Sequence, residues 1–224
     1  MATFVFIHGA GDVGWSWHLV EAELRAKGHD TIAPDLPVDD DSAGLPEYVD
    51  AVVGAIGDRA DLVVVGHSLG GLVAPLVCDR VPVELLVLVA PMIPAPGEAP
   101  GDYSANTGYY EEEREEYDDP IALFLQDVPP DLAAEALKRE RGQSGACFGE
   151  PSPLKEWPNV PTRVLIATDD RVFPPAYLRR VSQERLNITP DELPGGHVPA
   201  LGRPQELATR LATYAADQGL STSR

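Results

Sequence analysis

A serine flanked by glycines is the strongest chemical signal in this chain, in the sequence GHSLG at residues 66–70. The apolar run 62–65 before it predicts a strand, and the apolar stretch 69–78 after it predicts a helix. On a sharp strand-to-helix turn, a serine projects its hydroxyl above the sheet, and the flanking glycines let the turn pack closely. An ordinary glycine turn capped by serine would need neither flanking element. We therefore predict that Ser68 is a catalytic nucleophile.

A serine hydroxyl is a weak nucleophile that needs a base within hydrogen-bond reach, and His197 is our candidate for this base. It ends the sequence PGGH at residues 194–197, between a predicted strand and the last predicted helix. This position places it on a loop at the carboxyl edge of a parallel sheet, where Ser68 also lies. The histidines at positions 8, 18, 29 and 67 lie in the first helix or next to strands and glycine turns.

A carboxylate that supports the histidine is expected between Ser68 and His197, because that chain order accompanies this serine turn. The predicted strand 163–167 is followed by Asp169 and Asp170, and either could hold the imidazole in the required tautomer. The other place for the acid, after the strand 85–89, contains no carboxylate. On the residues alone, both aspartates stay open.

Developing negative charge on a carbonyl oxygen needs donors that are already in place. The N–H of Leu69, directly after the serine, is one candidate donor. The first predicted strand leads into the sequence HGAG at residues 8–11, whose glycines let backbone approach a substrate closely. We therefore predict that the N–H groups of Ala10 and Leu69 form an oxyanion hole.

Strands and helices alternate along most of the chain, which predicts an α/β fold. Near-continuous apolar runs are typical of strands that are buried on both faces of a parallel sheet. The expected architecture is a doubly wound, mainly parallel sheet of about six strands. Predicted strands are 3–7, 31–33, 62–65, 85–89, 163–167 and a weaker one within 186–193; predicted helices are 15–26, 45–56, 69–78, 175–182 and 204–216.

The stretch 91–158 interrupts this alternation and is too long for a simple connection. It is rich in proline, glycine and acidic residues, and it predicts two helices, at 119–126 and 131–141. We interpret it as a helical cap inserted into a core formed by residues 1–90 and 159–224. The acidic run 111–119 is expected to be a solvated surface, with steering of substrate as the second interpretation.

The charge balance narrows the set of partners. The chain has 36 acidic and 17 basic residues and a formal net charge of -19, which argues against nucleic acid and anionic membranes. Cys78 and Cys147 provide neither a disulfide framework nor the spacing of a metal site, so we expect no metal. The first apolar run predicts a strand and not a signal peptide, and no run reaches membrane-spanning length. We expect a cytoplasmic protein with a small-molecule substrate; a homodimer is left open.

Three segments of the sequence carry a family resemblance. FVFIHGAGDVGWSWHLVEAELRAKGHDTIAPDLP, VVVGHSLGGLVAP and PGGHVPALGRPQELA resemble the plant methyl esterase and hydroxynitrile lyase group of the α/β-hydrolase superfamily, over roughly residues 4–94 and 160–216. The resemblance implies a serine–histidine–aspartate triad, a lidded apolar pocket and no cofactor. It also implies that Asp170 is the acid, because members commonly have an aspartate four residues before a proline, here Pro174.

The same resemblance separates esterases from lyases within that group. The lyases have a threonine in the first turn, a lysine after the catalytic histidine and, commonly, a cysteine after the serine; this chain has Gly9, Val198 and Leu69 there, which is the esterase pattern. The expected function is a carboxylesterase that acts on a small apolar or aromatic ester through an acyl-enzyme. A thioesterase or a C–C bond hydrolase would use the same triad. A ligand-binding protein without turnover is the alternative from another class.

Overall fold

The computed structural model describes residues 1–113 and 115–220. Its strands are β1 (Thr3–Ile7), β2 (Asp30–Ile32), β3 (Leu62–His67), β4 (Leu85–Val89), β5 (Thr162–Ala167) and β6 (Asp191–Leu193). Its α-helices are α1 (His18–Ala26), α2 (Leu45–Ile56), α3 (Gly70–Cys78), α4 (Tyr103–Asn106), α5 (Pro120–Phe124), α6 (Pro130–Arg139), α7 (Ala146–Gly149), α8 (Pro175–Leu186), α9 (Pro199–Gly202) and α10 (Pro204–Asp217). Short 3₁₀ helices occupy Gly14–Trp17, Pro100–Asp102 and Tyr109–Glu111.

The six strands form one sheet in the order β2-β1-β3-β4-β5-β6, and every neighbouring pair is parallel. The predicted α/β fold with a parallel sheet of about six strands is therefore confirmed. The chain winds from β1 outward to β2 and then returns to β3 on the other side of β1. At such a reversal the two neighbouring loops diverge and leave a crevice at the carboxyl edge, where ligands bind in open α/β sheets.

Both faces of the sheet are covered, which explains the near-continuous apolar strands. In β1, Val5 and Ile7 face one buried cluster, which includes residues from α2, α3 and α8. Phe4 and Phe6 face the other, which includes residues from α1 and α10. Because side chains alternate along a strand, the four central strands β1, β3, β4 and β5 contribute to both clusters, and a polar residue on either face of them would be buried.

The ends of several elements differ from the prediction by a few residues. The strand β3 continues through Gly66 and His67, because both pair with β4 up to the serine turn. The first predicted helix divides into a 3₁₀ turn followed by α1. A Cβ on Gly14, within that turn, would lie 2.0 Å from the carbonyl oxygen of Ala33, so the chain entering α1 lies directly against the end of β2.

The segment between β4 and β5 contains four short α-helices and, in the residues described there, no strand. The predicted helices 119–126 and 131–141 correspond to the shorter α5 and α6. The division into a core of residues 1–90 and 159–224 and a cap of residues 91–158 stays a prediction. None of the described helices has the length and apolar character needed to cross a membrane.

A buried ion pair joins this segment to the helix α8. The Arg185 guanidinium lies 2.6 and 2.7 Å from the Glu98 carboxylate and also donates to the carbonyl oxygen of Ile93. The side chains are 13% and 5% exposed, respectively. Burial would raise the pKa of Glu98, but hydrogen bonds from Arg185, Asn106 and the Ala95 N–H outweigh this effect and lower it.

We expect Arg185→Met to reduce the free energy of unfolding by about 3–5 kcal/mol, because it leaves the Glu98 carboxylate buried without its partner. The matched control is Arg59→Met, since the Arg59–Asp30 pair is 42% and 46% exposed and should contribute at most about 1 kcal/mol. Urea unfolding followed by circular dichroism measures both changes. Equal losses in the two variants would contradict the structural role of the buried pair.

Candidate active site

Ser68 occupies a strained turn between β3 and α3. Its φ of 51° lies in the left-handed region, which non-glycine residues rarely adopt. The turn is held from both sides: the Ser68 N–H donates to the carbonyl oxygen of Val89 at 3.1 Å, and the Ser68 carbonyl accepts from Gly71 and Met92 at 2.9 Å each. The strain thus persists because β4 and the chain after it fix the turn.

The flanking glycines are required by close packing. A Cβ on Gly66 would lie 2.6 Å from the carbonyl oxygen of Gly70, and a Cβ on Gly70 would lie 2.5 Å from that of Ile7. The start of α3 therefore lies directly against the carboxyl end of β1. This packing confirms the steric reason for the glycines in the sequence GHSLG.

Three side chains form a hydrogen-bonded series across the carboxyl edge of the sheet. Nε2 of His197 lies 3.1 Å from Oγ of Ser68, and Nδ1 of His197 lies 2.8 Å from Oδ2 of Asp170. The His197 and Asp170 side chains are 3% and 0% exposed. Oδ1 of Asp170 accepts from the N–H groups of Val172 and Phe173 at 2.8 and 2.9 Å, which fixes the carboxylate toward the imidazole.

Asp169 faces away from the imidazole and stabilises the backbone of the histidine loop instead. Its Oδ2 accepts from the Gly195 N–H at 3.1 Å and from the Thr168 hydroxyl at 2.9 Å. Its own N–H donates to the carbonyl oxygen of Gly195. Of the two aspartates left open by the residues alone, Asp170 is the one that the structure places against His197.

Of the two proposed oxyanion donors, the Leu69 N–H follows the serine directly and Ala10 lines the same cavity as Ser68. Neither the Ala10 N–H nor the Leu69 N–H donates to an acceptor within residues 1–113 or 115–220. The turn after β1 is fixed through Gly11, whose N–H donates to Oε1 of Gln143 at 3.2 Å and whose carbonyl accepts from the Arg141 N–H at 2.8 Å. The backbone next to Ser68 therefore offers two unpaired donors.

His67 is a buried neighbour of the site whose contribution the sequence did not indicate. Its Nε2–H donates to the carbonyl oxygen of His197 at 2.8 Å, and its ring lies edge-on to Trp17. Burial, followed by repulsion from His197, lowers the pKa of His67 to about 3. A neutral His67 thus holds the backbone of the histidine loop without adding a charge.

The segment after α5 anchors two loops of the site, and nothing in its sequence predicts this. The Gln126 side-chain amide donates to the carbonyl oxygen of Asp169 at 2.8 Å, and Oδ2 of Asp127 accepts from the Gly196 N–H at 3.0 Å. A Cβ on Gly196 would lie 2.5 Å from the Gln126 amide nitrogen. The glycines of the sequence PGGH thus let this segment lie directly on the histidine loop.

A cavity of about 140 Å³ opens at Ser68 and His197. The acids Asp12 and Glu140 line it together with Gly9, Ala10, Ser16, His67, Pro120, Phe124, Leu125, Ala136, Leu137, Val198 and Leu201. Of the aromatic residues of the 91–158 segment, Phe124 lies in the wall, whereas Tyr109, Phe148 and Trp157 pack against the core. In the described part of the chain, His, Cys, Asp and Glu side chains form no group of three that could hold a metal ion.

The fold and this series of side chains define a class of protein. A parallel sheet with a strained serine turn after its third strand, and a histidine and a carboxylate on later loops, is the arrangement of the α/β-hydrolases. A family model described as "Alpha/beta hydrolase family" matches residues 4–210. The chain belongs to this family.

Individual relatives carry esterase names. The "Probable esterase PIR7A" of Oryza sativa subsp. indica is 44% identical over 112 residues, and this match spans 44% of the chain but only 42% of the rice protein. The "Carbendazim hydrolyzing esterase" of Nocardioides sp. is 24% identical over 243 residues, covering 95% of the chain and 99% of that protein. A crystal structure of a pyrethroid hydrolase from Sphingobium faniae superposes with a TM-score of 0.79 at 24% identity, covering 96% of the chain and 97% of that structure. The resemblance to plant esterases is thereby confirmed.

We expect His67 to stay neutral throughout the range from about pH 5 to pH 9, because a pKa lowered to about 3 lies far below it. Histidine ring resonances followed by NMR during a pH titration provide the measurement. The His67 signal is assigned by its loss in the His67→Gln variant. A His67 signal that titrates near the ordinary histidine value of about 6.5 would contradict a buried ring that stays neutral while its Nε2–H donates to the His197 carbonyl oxygen.

Proposed function

We propose that this chain is a carboxylesterase that forms an acyl-enzyme at Ser68. The observation that carries the proposal is the hydrogen-bonded series from Ser68 through His197 to Asp170, at the wall of a cavity. A serine hydroxyl, a base and an orienting carboxylate in this order are the groups that acyl transfer requires. The esterase names of the relatives support the same activity.

In the first step, Nε2 of His197 accepts the Ser68 proton while Oγ attacks the ester carbonyl. Asp170 holds the imidazole with Nδ1–H toward itself, so that Nε2 carries the lone pair, and it stabilises the imidazolium that forms. Because the Asp170 carboxylate also accepts two backbone N–H groups, it stays oriented while the charge on the imidazole changes.

The negative charge that develops on the carbonyl oxygen is placed between the N–H groups of Ala10 and Leu69. These donors have no competing acceptor in the described residues, so they need no rearrangement to bind an oxyanion. The start of α3, directly after Leu69, adds a positive dipole end at this point. His197 then donates its proton to the leaving alcohol, and water releases the acid by the reverse sequence.

The cavity supports a small apolar or aromatic substrate group. Its volume of about 140 Å³ resembles that of engineered cavities that hold a benzene molecule. Phe124, Leu125, Leu137 and Leu201 give it an apolar wall. Because α5 and α6 supply part of this wall, we infer that residues 91–158 act as a cap on the core formed by residues 1–90 and 159–224. A cytoplasmic location stays a prediction of the sequence, and a homodimer stays open.

We expect Ser68→Ala to fold normally and to lose turnover of an aryl ester by about 10⁴-fold or more, because it removes the hydroxyl that contacts Nε2 of His197. Steady-state kinetics give the loss, and a fluorophosphonate probe should label the wild-type protein but not the variant. Hydrolysis of esters but not of matched thioesters or β-diketones would identify a carboxylesterase, as opposed to a thioesterase or a C–C bond hydrolase. Near-native turnover in Ser68→Ala would exclude the proposed nucleophile.

Asp170→Asn should cost about 10⁴-fold in kcat, because asparagine favours the tautomer whose Nε2 already carries a proton. Asp169→Asn is the matched control: it changes the neighbouring carboxylate, which contacts the Gly195 N–H and not the imidazole. We expect a much smaller loss for this control. If Asp169→Asn were the more damaging change, Asp170 could not be the supporting acid.

A further inference from the structure

We propose that Asp12 and Glu140 form an acidic subsite in the cavity at Ser68, and that this subsite binds ester substrates carrying a protonated amine. The inference rests on the proposed esterase function and adds the substrate class to it. Both carboxylates line the same cavity as the nucleophile. They come from two segments far apart in the chain, Asp12 from the turn after β1 and Glu140 from the residue after α6. The Arg141 N–H joins these segments by donating to the Gly11 carbonyl oxygen.

The charge of the cavity wall is unbalanced. Among the described residues that line it, Asp12 and Glu140 are the two acidic ones, and none is lysine or arginine. The histidine nearest to Asp12 in the turn does not offset them: Nε2 of His8 accepts from the Leu36 N–H at 2.9 Å, and burial lowers the pKa of His8. The other residues of the lining are mostly apolar. The described lining therefore provides no lysine or arginine to neutralise the two acids.

The cations close to this region are engaged elsewhere. The Arg139 side chain pairs with Glu135 at 2.7 Å and covers the ring of Trp15. The Arg141 side chain pairs with Asp35 and Asp39, at 3.2 and 3.4 Å. Within residues 1–113 and 115–220, neither Asp12 nor Glu140 has an ion-pair partner. A charge supplied by a ligand would therefore not compete with Arg139 or Arg141 for these two acids.

Asp12 is oriented for such a ligand. Its Oδ1 accepts from the Val13 N–H at 2.8 Å and from the Ser16 hydroxyl, which fixes the carboxylate in the turn. Its Oδ2 accepts no hydrogen bond from the described residues, although Asp12 lines the cavity. A fixed carboxylate with one unpaired oxygen is a hydrogen-bond acceptor for a ligand N–H.

The electrostatics of the two acids favour a cationic ligand over a neutral one. Partial desolvation at the cavity, followed by repulsion from Asp12, raises the pKa of the otherwise exposed Glu140, and burial raises the pKa of Asp12. A positive charge between them would reverse this effect and stabilise both ionised forms. Two uncompensated carboxylates next to the position of the developing oxyanion would oppose the reaction of a neutral ester. An ammonium group in the subsite removes that penalty.

Two pairs of isosteric esters test the proposal on either side of the scissile bond. Dimethylaminoethyl acetate, protonated at neutral pH, is compared with isoamyl acetate. The methyl ester of γ-dimethylaminobutyric acid is compared with its carbon isostere, in which CH replaces the protonated nitrogen. We expect kcat/KM for the cationic ester to exceed that of its isostere by about tenfold in at least one pair, as a charge-assisted hydrogen bond would give.

The variants Asp12→Asn and Glu140→Gln should bring the ratio of kcat/KM for the cationic ester to kcat/KM for its neutral isostere close to one. The ratio within each variant is the measurement, because a loss common to both esters cancels. Since Glu140 is exposed, Glu140→Gln should fold even if Asp12→Asn does not. Asp131→Asn is the matched control, because it removes an exposed acid of α6 that does not line the cavity; it should keep the wild-type ratio.

The outcomes separate this inference from the esterase proposal. If wild-type protein hydrolysed isoamyl acetate but its cationic-to-neutral kcat/KM ratio were one or less in both pairs, the acidic-subsite proposal would be overturned. The esterase proposal would stand. A tenfold preference that survives in Asp12→Asn and Glu140→Gln would overturn the assignment to these residues. Absence of ester hydrolysis together with absence of phosphonate labelling would overturn both proposals.

Discussion

The contact between the start of α3 and the carboxyl end of β1 is the constraint on which the site depends. Gly70 leaves no space for a side chain against the carbonyl oxygens of Ile7 and His8, so the helix begins directly on the first strand. This contact places Ser68 beside the turn after β1, where a Cβ on Gly9 would lie 3.2 Å from Cβ of Ser68. The nucleophile and the backbone donors therefore come together through one packing interaction, between the start of α3 and the end of β1.

The loops that complete the site are fixed by the segment between β4 and β5. Gln126 and Asp127 hold the acid loop and the histidine loop, while Gln143 and the Arg141 backbone hold the turn at Gly11. Loops are ordinarily the most variable and mobile parts of a fold, so a catalytic geometry built on them needs such support. The segment that closes the cavity therefore also orients the groups that line it.

Burial controls the charge of the site as strongly as the side chains do. Burial lowers the pKa of His67 to about 3 and also lowers the pKa of His8, so a positive charge that forms on His197 faces Asp170 and a neutral His67. Asp12 and Glu140 line the same cavity, desolvation raises their pKa values, and neither has a cationic partner among the described residues. Desolvation therefore disfavours charge on the acids as it does on the two imidazoles, and a cationic substrate beside the acids would stabilise their ionised forms.

The sequence by itself determined the strands, the serine turn and the chain order of serine, aspartate and histidine, since these follow from local apolar periodicity and from glycines that only a close turn requires. It identified the bounds of β1, β4 and α2 without error, whereas the helices of the 91–158 segment were predicted too long. Only the tertiary structure shows that Asp170, to which the family resemblance had pointed, contacts His197 while Asp169 contacts Gly195, because adjacent residues on a turn point in different directions. It also decided the contributions of His67, Gln126 and Asp127, because these depend on contacts between segments far apart in the chain, which local sequence patterns do not encode.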